Sequence, residues 1–207
     1  MWFNALRSLR LPFRNVIKRR GFTPIPADAE PRLPMKPSAL PHRDDDAVLT
    51  LYAHYFLASE LMLNNYKKLA KKWQQRGRLT PNDRVQLPIY FATWLGLLAV
   101  TAEGFKKLAI HKLVQTDRPP DFVELGSQAD ELGSLLKKYD DALRRFRNTV
   151  FHLREDTQDI ERFFNEQPNR LEWAEELQSA FDKFFSSYRI LCQVHYAIEN
   201  RNDELFK

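Results

Sequence analysis

Within the run RRFRNTVFHLRED, three side chains able to do chemistry sit at helical spacing: Arg147, Asn148 and His152. An imidazole with its ordinary pKa of about 6.5 takes up and releases protons near neutral pH. A guanidinium stays charged and presents a planar fork that fits a phosphate by two hydrogen bonds. Asn148 adds a neutral donor and acceptor that can orient either partner. At about 100° per residue, Asn148 and His152 share one helix face, with Arg144 one turn before them, whereas Arg147 is offset from His152 by about 140°. The long Arg147 side chain converges on His152 if the helix ends or loosens there, as the polar Arg154, Glu155 and Asp156 suggest. A helix-end cap is the other role open to His152.

The helix that carries these residues reads from about Gln128 through Leu132, Leu135, Leu136, Tyr139, Leu143, Phe146, Val150 and Leu153. That spacing predicts a core seam through Phe146, Val150 and Leu153. It places Arg147, Asn148 and His152 on the side away from the seam, open to solvent or to a second subunit. Three more long helices are predicted around it. The first follows Asp44, Asp45 and Asp46, acids suited to a helix N-terminus, and carries Val48, Leu51, Tyr55, Ala58, Met62, Leu69 and Trp73 as far as Gly77. The second starts on Thr80 and Pro81, a capping residue followed by a proline in the first turn. The last begins near Asn169 and follows Trp173, Leu177, Phe181, Phe184, Tyr188, Leu191, His195 and Ile198. Four long helices with short connections predict an all-α fold, an antiparallel bundle spanning 44–207, with a short helix and turn over Glu155 to Pro168.

Two features fall outside the bundle. Residues 1–20 place Trp2, Phe3, Leu6, Leu9, Phe13, Val16 and Ile17 on one side of a helix, with Arg7, Arg10, Arg14 and Lys18 on the neighbouring face. Such a basic amphipathic arm suits an anionic membrane or an RNA surface, or it docks on a protein. Arginines interrupt its apolar residues too often for a secretory signal peptide. Residues 21–43 contain six prolines and read as an extended linker. The net charge of +5 belongs to this end: residues 1–43 hold nine Lys and Arg against two acids. The remaining chain is close to neutral, so a general nucleic-acid surface is not indicated and a basic surface must be local.

Val85 to Ala102 carries no charge over 18 residues. That length reaches the range of a membrane span. Gln86, Pro88, Tyr90, Thr93 and Thr101 weaken that reading, and a helix buried on nearly all sides within a bundle or dimer interface is the expectation. The single cysteine, Cys192, excludes an internal disulfide and suits a reducing, cytoplasmic setting. No metal-ligand spacing occurs around it, and neither a metal nor a cofactor is expected. His54, His111 and His195 lack a convergent partner pattern and read as structural.

The Arg147-Asn148-Thr149-Val150-Phe151-His152 unit resembles the Arg-x4-His signature of the HEPN superfamily, including the polar residue just after the Arg. The resemblance covers the motif and the layout of about residues 46–201. It implies a bundle of four to five helices with the motif near the end of the third long one. It further implies metal-independent RNA cleavage, with the adjacent 2′-hydroxyl as nucleophile, His152 as acid or base, Arg147 as phosphate clamp and Asn148 in support. A polar helper on the second helix is also implied, and Glu103 is the candidate; an exposed or salt-bridged helix acid is its other reading. The family pairs two motifs across a homodimer and includes toxins and defence ribonucleases held by an antitoxin or other regulatory protein. Where members paired with a nucleotidyltransferase antitoxin often carry Tyr two residues after the His, this chain has Arg154. The competing expectations are a non-catalytic HEPN-like bundle serving in protein interaction or RNA binding, and an adaptor held peripherally at a membrane by the arm.

Overall fold

The computed structural model describes residues 40–151 and 169–205. The amphipathic arm, most of the Pro-rich linker, His152, Leu153 and the acidic connection before Asn169 lie outside the described residues. Within them the chain forms helices and helical turns, with no strand.

Asp46 starts α1 (Ala47–Leu51), its carboxylate accepting from the backbone N–H of Val48 at 2.8 Å and Leu49 at 3.4 Å. A π-helical turn, Tyr52–Phe56, leads directly into α2 (Leu57–Arg76), which stops at Gly77. Gly77 adopts φ 63°, a left-handed conformation that a residue without Cβ enters at least cost. A reciprocal capping box then opens α3 (Pro81–Lys107): Asp83 N–H donates to the Thr80 hydroxyl and the Asp83 carboxylate accepts from Thr80 N–H. Asp83 also pairs with Lys72, tying the end of α2 to the start of α3.

Beyond α3 the chain does something the periodicity does not announce. Ala109, at φ 46°, breaks the helix and starts the short α4 (Ile110–Thr116). A 3-10 segment, Pro120–Leu125, then delivers the chain to α5 (Gly126–Phe151). The last long element is α6 (Arg170–Ile198). Phe56, Phe105, Phe181, Phe184 and Phe185 form the centre of the core, with Phe105 meeting Phe181 and Phe184 edge-on at 5.5 and 5.6 Å.

Three sequence expectations need correction. First, α5 is not a uniform helix: Tyr139 has φ −142° and ψ 21°, and a kink divides the element. The Leu135 carbonyl, which Tyr139 N–H would take in a regular helix, accepts the Trp173 indole N–H at 2.8 Å. Second, α3 is not buried on nearly all sides within its own bundle. Leu87, Trp94, Leu95, Leu98 and Ala102 are buried, but Val85 and Ile89 are 47% and 52% exposed, because α2 and α5 cover only part of its circumference. Its best 18-residue stretch, of mean hydropathy 1.5 and 44% buried, is long and apolar enough to cross a membrane. Third, the linker does not extend to residue 43. Leu40 is buried, and the Arg201 guanidinium donates to the Leu40 and Pro41 carbonyls at 3.0 and 2.8 Å. Glu204 receives the Arg43 N–H at 2.7 Å and an Arg201 Nη2 bond at 2.7 Å. The Arg201 side chain, with help from Arg43, holds the Glu204 carboxyl down at about 2.

Candidate functional site

The motif occupies the last turn of α5, and the packing of α5 between α3 and α6 decides where each side chain goes. Leu143 and Phe146 are buried, as their spacing requires, and Val150 packs on the same core. Ala142 and Thr149 are buried as well, so the covered arc is wider than one seam. Phe151 lies against α3: a Cβ built on Gly96 would stand 2.6 Å from the Phe151 ring. The missing side chain at Gly96 is what lets the end of α5 come this close.

Arg147 is therefore not on the side away from the core, as the seam argument had it. It flanks the α3 contact, and its Nη2 donates to Glu103 Oε1 at 2.7 Å, with the two side chains 23% and 32% exposed. The structure thus joins two of the residues singled out in the sequence, 44 positions apart. Glu103 takes one of five guanidinium donors. Arg147 Nε is enclosed and has no hydrogen-bond partner among the described residues. Asn148 is half-buried on the adjoining face. His152 belongs to the undescribed residues, so its distance to Arg147 and Glu103 is not part of this geometry.

Contacts continue from the motif toward the start of α5. Lys106, one turn beyond Glu103 on α3, pairs with Asp140. A cavity of about 600 Å³ lies further along, between Phe105, Ile110 and His111 on one side and Ala129, Gly133 and Leu136 on the other. A second, of about 410 Å³, opens at the Tyr139 kink. Neither is lined by Arg147, Asn148 or Glu103.

Two of the three histidines read as structural, His111 and His195, have carboxylate neighbours that sequence spacing does not reveal. His111 Nδ1 lies 2.8 Å from Asp130, and His195 lies 3.4 Å from Asp121 while packing on the Phe122 ring at 5.7 Å. The most completely satisfied polar group is elsewhere again. Asp46 is fully buried and, besides capping α1, accepts from the Tyr188 hydroxyl at 2.8 Å and Arg118 Nη2 at 3.2 Å. Arg118 Nε in turn donates to the Tyr188 oxygen at 2.7 Å. Asp46 was legible as an acid at a helix start, and Tyr188 gave a second signal, since a tyrosine on a core stripe needs a partner for its hydroxyl. Nothing at Arg118 marked it. Burial, reinforced by Asp46, pushes the neighbouring Cys192 thiol up to about 12.

Among the described residues, no three His, Cys, Asp or Glu side chains converge as metal ligands. Searches against models of known families, curated proteins and solved structures give no match for the chain.

Proposed function

We propose that this chain is a metal-independent endoribonuclease of HEPN type, with Arg147 clamping the scissile phosphate and His152 moving the proton. The observation that carries the reading is the Arg147–Glu103 pair. The motif Arg and the polar residue expected on the preceding long helix meet at 2.7 Å in a partly open position. The pairs Gly96 with Phe151, Glu103 with Arg147 and Lys106 with Asp140 run in opposite order along α3 and α5. That order supports an antiparallel, HEPN-like arrangement.

RNA carries its own nucleophile, so the protein needs only proton transfer and charge stabilisation. Glu103 orients the guanidinium, leaving further N–H groups for phosphate oxygens. Asn148, on the face that the helical period shares with His152, holds the imidazole or the phosphate. One histidine does not readily supply both acid and base, so two copies pair through the motif face of a homodimer. An antitoxin or other regulatory protein would act by covering that face. The chain works in the cytoplasm, with the basic arm reaching RNA, a partner or a membrane surface.

A second reading has its own observation. Arg147 is less than one-quarter exposed and has an enclosed Nε, which equally suits a structural tie between α3 and α5 in a non-catalytic interaction module. RNA incubated with the wild type and His152→Ala in excess chelator separates the two. The ribonuclease cleaves as wild type and loses cleavage on substitution, whereas the interaction module leaves RNA intact in both.

A further inference from the structure

Both sides of the α5 kink rest on one residue of α6. Before the kink, the Leu135 carbonyl accepts the Trp173 indole N–H at 2.8 Å, across 38 positions of sequence. At the kink itself, the Tyr139 ring meets the Trp173 ring edge-on, with centres 5.3 Å apart. Trp173 is 3% exposed and Leu135 6%, so water does not compete for this hydrogen bond. The indole N–H is the one donor that the Trp173 side chain has. A side chain that inserts into the backbone ladder of a helix is a physical cause of a sharp bend.

The motif lies on the far side of that bend. Leu132, Leu135 and Leu136 come before Tyr139, whereas Phe146, Arg147, Asn148 and Phe151 follow it. Arg147 stands about 12 Å beyond Tyr139 along the helix. A bend of about 20°, the lower bound of a sharp kink, swings a side chain at that reach by about 4 Å. The Arg147–Glu103 bond is 2.7 Å long, and the Phe151 ring sits directly over Gly96. Neither contact tolerates a displacement of that size. Both belong to the bent helix.

We infer that Trp173 is a positioning residue, whose indole N–H holds α5 bent at Tyr139 and so sets Arg147 against Glu103. Its role in cleavage rests on the ribonuclease reading, whereas the placement of Arg147 does not. Without the indole N–H, the Leu135 carbonyl is left buried and must find another donor. The backbone N–H four residues on, that of Tyr139, satisfies it in a regular helix. The second half of α5 then straightens, and Arg147 leaves Glu103.

Pulsed electron paramagnetic resonance on the full-length chain reads the bend directly. Nitroxides on Lys68→Cys in α2 and Arg145→Cys past the kink report the motif half of α5. Lys68→Cys with Glu131→Cys reports the half before it. All three sites are exposed, and the natural Cys192 is buried. Benzothienylalanine in place of Trp173 keeps the ring's shape but carries sulfur where the N–H was. It should shift the distance between positions 68 and 145 by about 3 Å and leave that between 68 and 131 unchanged. Trp173→Phe removes the same donor and should shift the same pair; the isostere decides the matter if the smaller ring unfolds the chain. An unchanged distance between 68 and 145 in the isosteric variant overturns the inference, because Trp173 then only packs. In cleavage, the isosteric variant should lower kcat about a hundredfold with KM near wild type, the cost of a misplaced group. A shifted distance with kcat at the wild-type value overturns the role in cleavage. The shift in a chain whose wild type leaves RNA intact supports the placement of Arg147 and rejects the ribonuclease. Cleavage by wild type, with distance and kcat both unchanged in the variant, rejects the positioning role and leaves the ribonuclease standing.

Discussion

Asp46 and Arg147 are both held by a partner on another helix, yet their surroundings differ in kind. Around Asp46 the carboxylate is buried and every bond runs to a group fixed by α1, α6 or the segment before Pro119. Around Arg147 the ion pair is partly open, Glu103 takes one donor, and Nε has no described partner. A buried, fully bonded network fixes a conformation, because removing any member strands the others without water. A partly open pair, whose guanidinium spends one of its donors on Glu103, can exchange partners when an anion reaches its exposed side. The first cluster holds the molecule together, and the second is where the proposed chemistry is to be tested.

The largest effect that separates them is on cleavage. Arg147→Ala should lower RNA cleavage by about two to four orders of magnitude while costing about 1 kcal/mol or less in stability, as partly exposed ion pairs do. Asp46→Ala should do the reverse. Chemical denaturation should show a loss of about 3–5 kcal/mol, since Arg118 is left buried without its carboxylate and α1 loses its cap. Cleavage per folded molecule should stay near wild type. If Asp46→Ala instead removed cleavage without unfolding, the division between the two regions would fail.

Glu103→Gln sharpens the comparison at a smaller scale. The amide oxygen can still accept from Arg147, so cleavage should fall only about tenfold, the worth of the charge on a hydrogen bond. Thermal stability should barely change. A loss as large as that of Arg147→Ala would make Glu103 a proton-transfer group in its own right.

Much of this was legible in the residues. Thr80, Pro81 and Asp83 announce the start of α3, and Gly77 announces the end of α2, because caps and turns are set by local chemistry. The Arg147–Glu103 contact was reachable only through a family resemblance, since no periodicity links positions on separate helices. The outward placement expected for Arg147 failed because a single seam was assumed, whereas α5 is covered from both α3 and α6. The Tyr139 kink was invisible for a related reason: it is stabilised by Trp173, which lies on α6. Arg118 was silent because it follows α4 in a segment with no regular period.

The C-terminal contact predicts a pH effect confined to one end of the molecule. Arg201 lowers the Glu204 carboxyl from 4.5 to about 2, so the stability that it contributes is complete above 4.5 and is lost as pH falls through about 2. Carbon-13 NMR of the Glu204 carboxyl should report that midpoint, and Glu204→Gln should flatten the acid dependence of stability over the same interval. A midpoint near 4.5 would mean that Arg201 does not hold the carboxylate in solution. The smallest effect concerns Cys192, whose thiol is raised to about 12 by burial first and Asp46 second. A thiol reagent at pH 8 should label it only as fast as the chain unfolds, and rapid labelling of the folded protein would contradict its burial.

The central claim is that attack by the RNA's own 2′-hydroxyl is promoted by Arg147 and His152. End-group analysis of RNA cleaved in chelator, run beside a substrate with a single 2′-deoxynucleotide at the cut, tests it most directly. The account predicts 2′,3′-cyclic phosphate and 5′-hydroxyl ends from RNA, no cleavage at the deoxy position, and loss of both products in His152→Ala. Cleavage at the deoxy position, or cleavage that requires an added divalent metal, would contradict it.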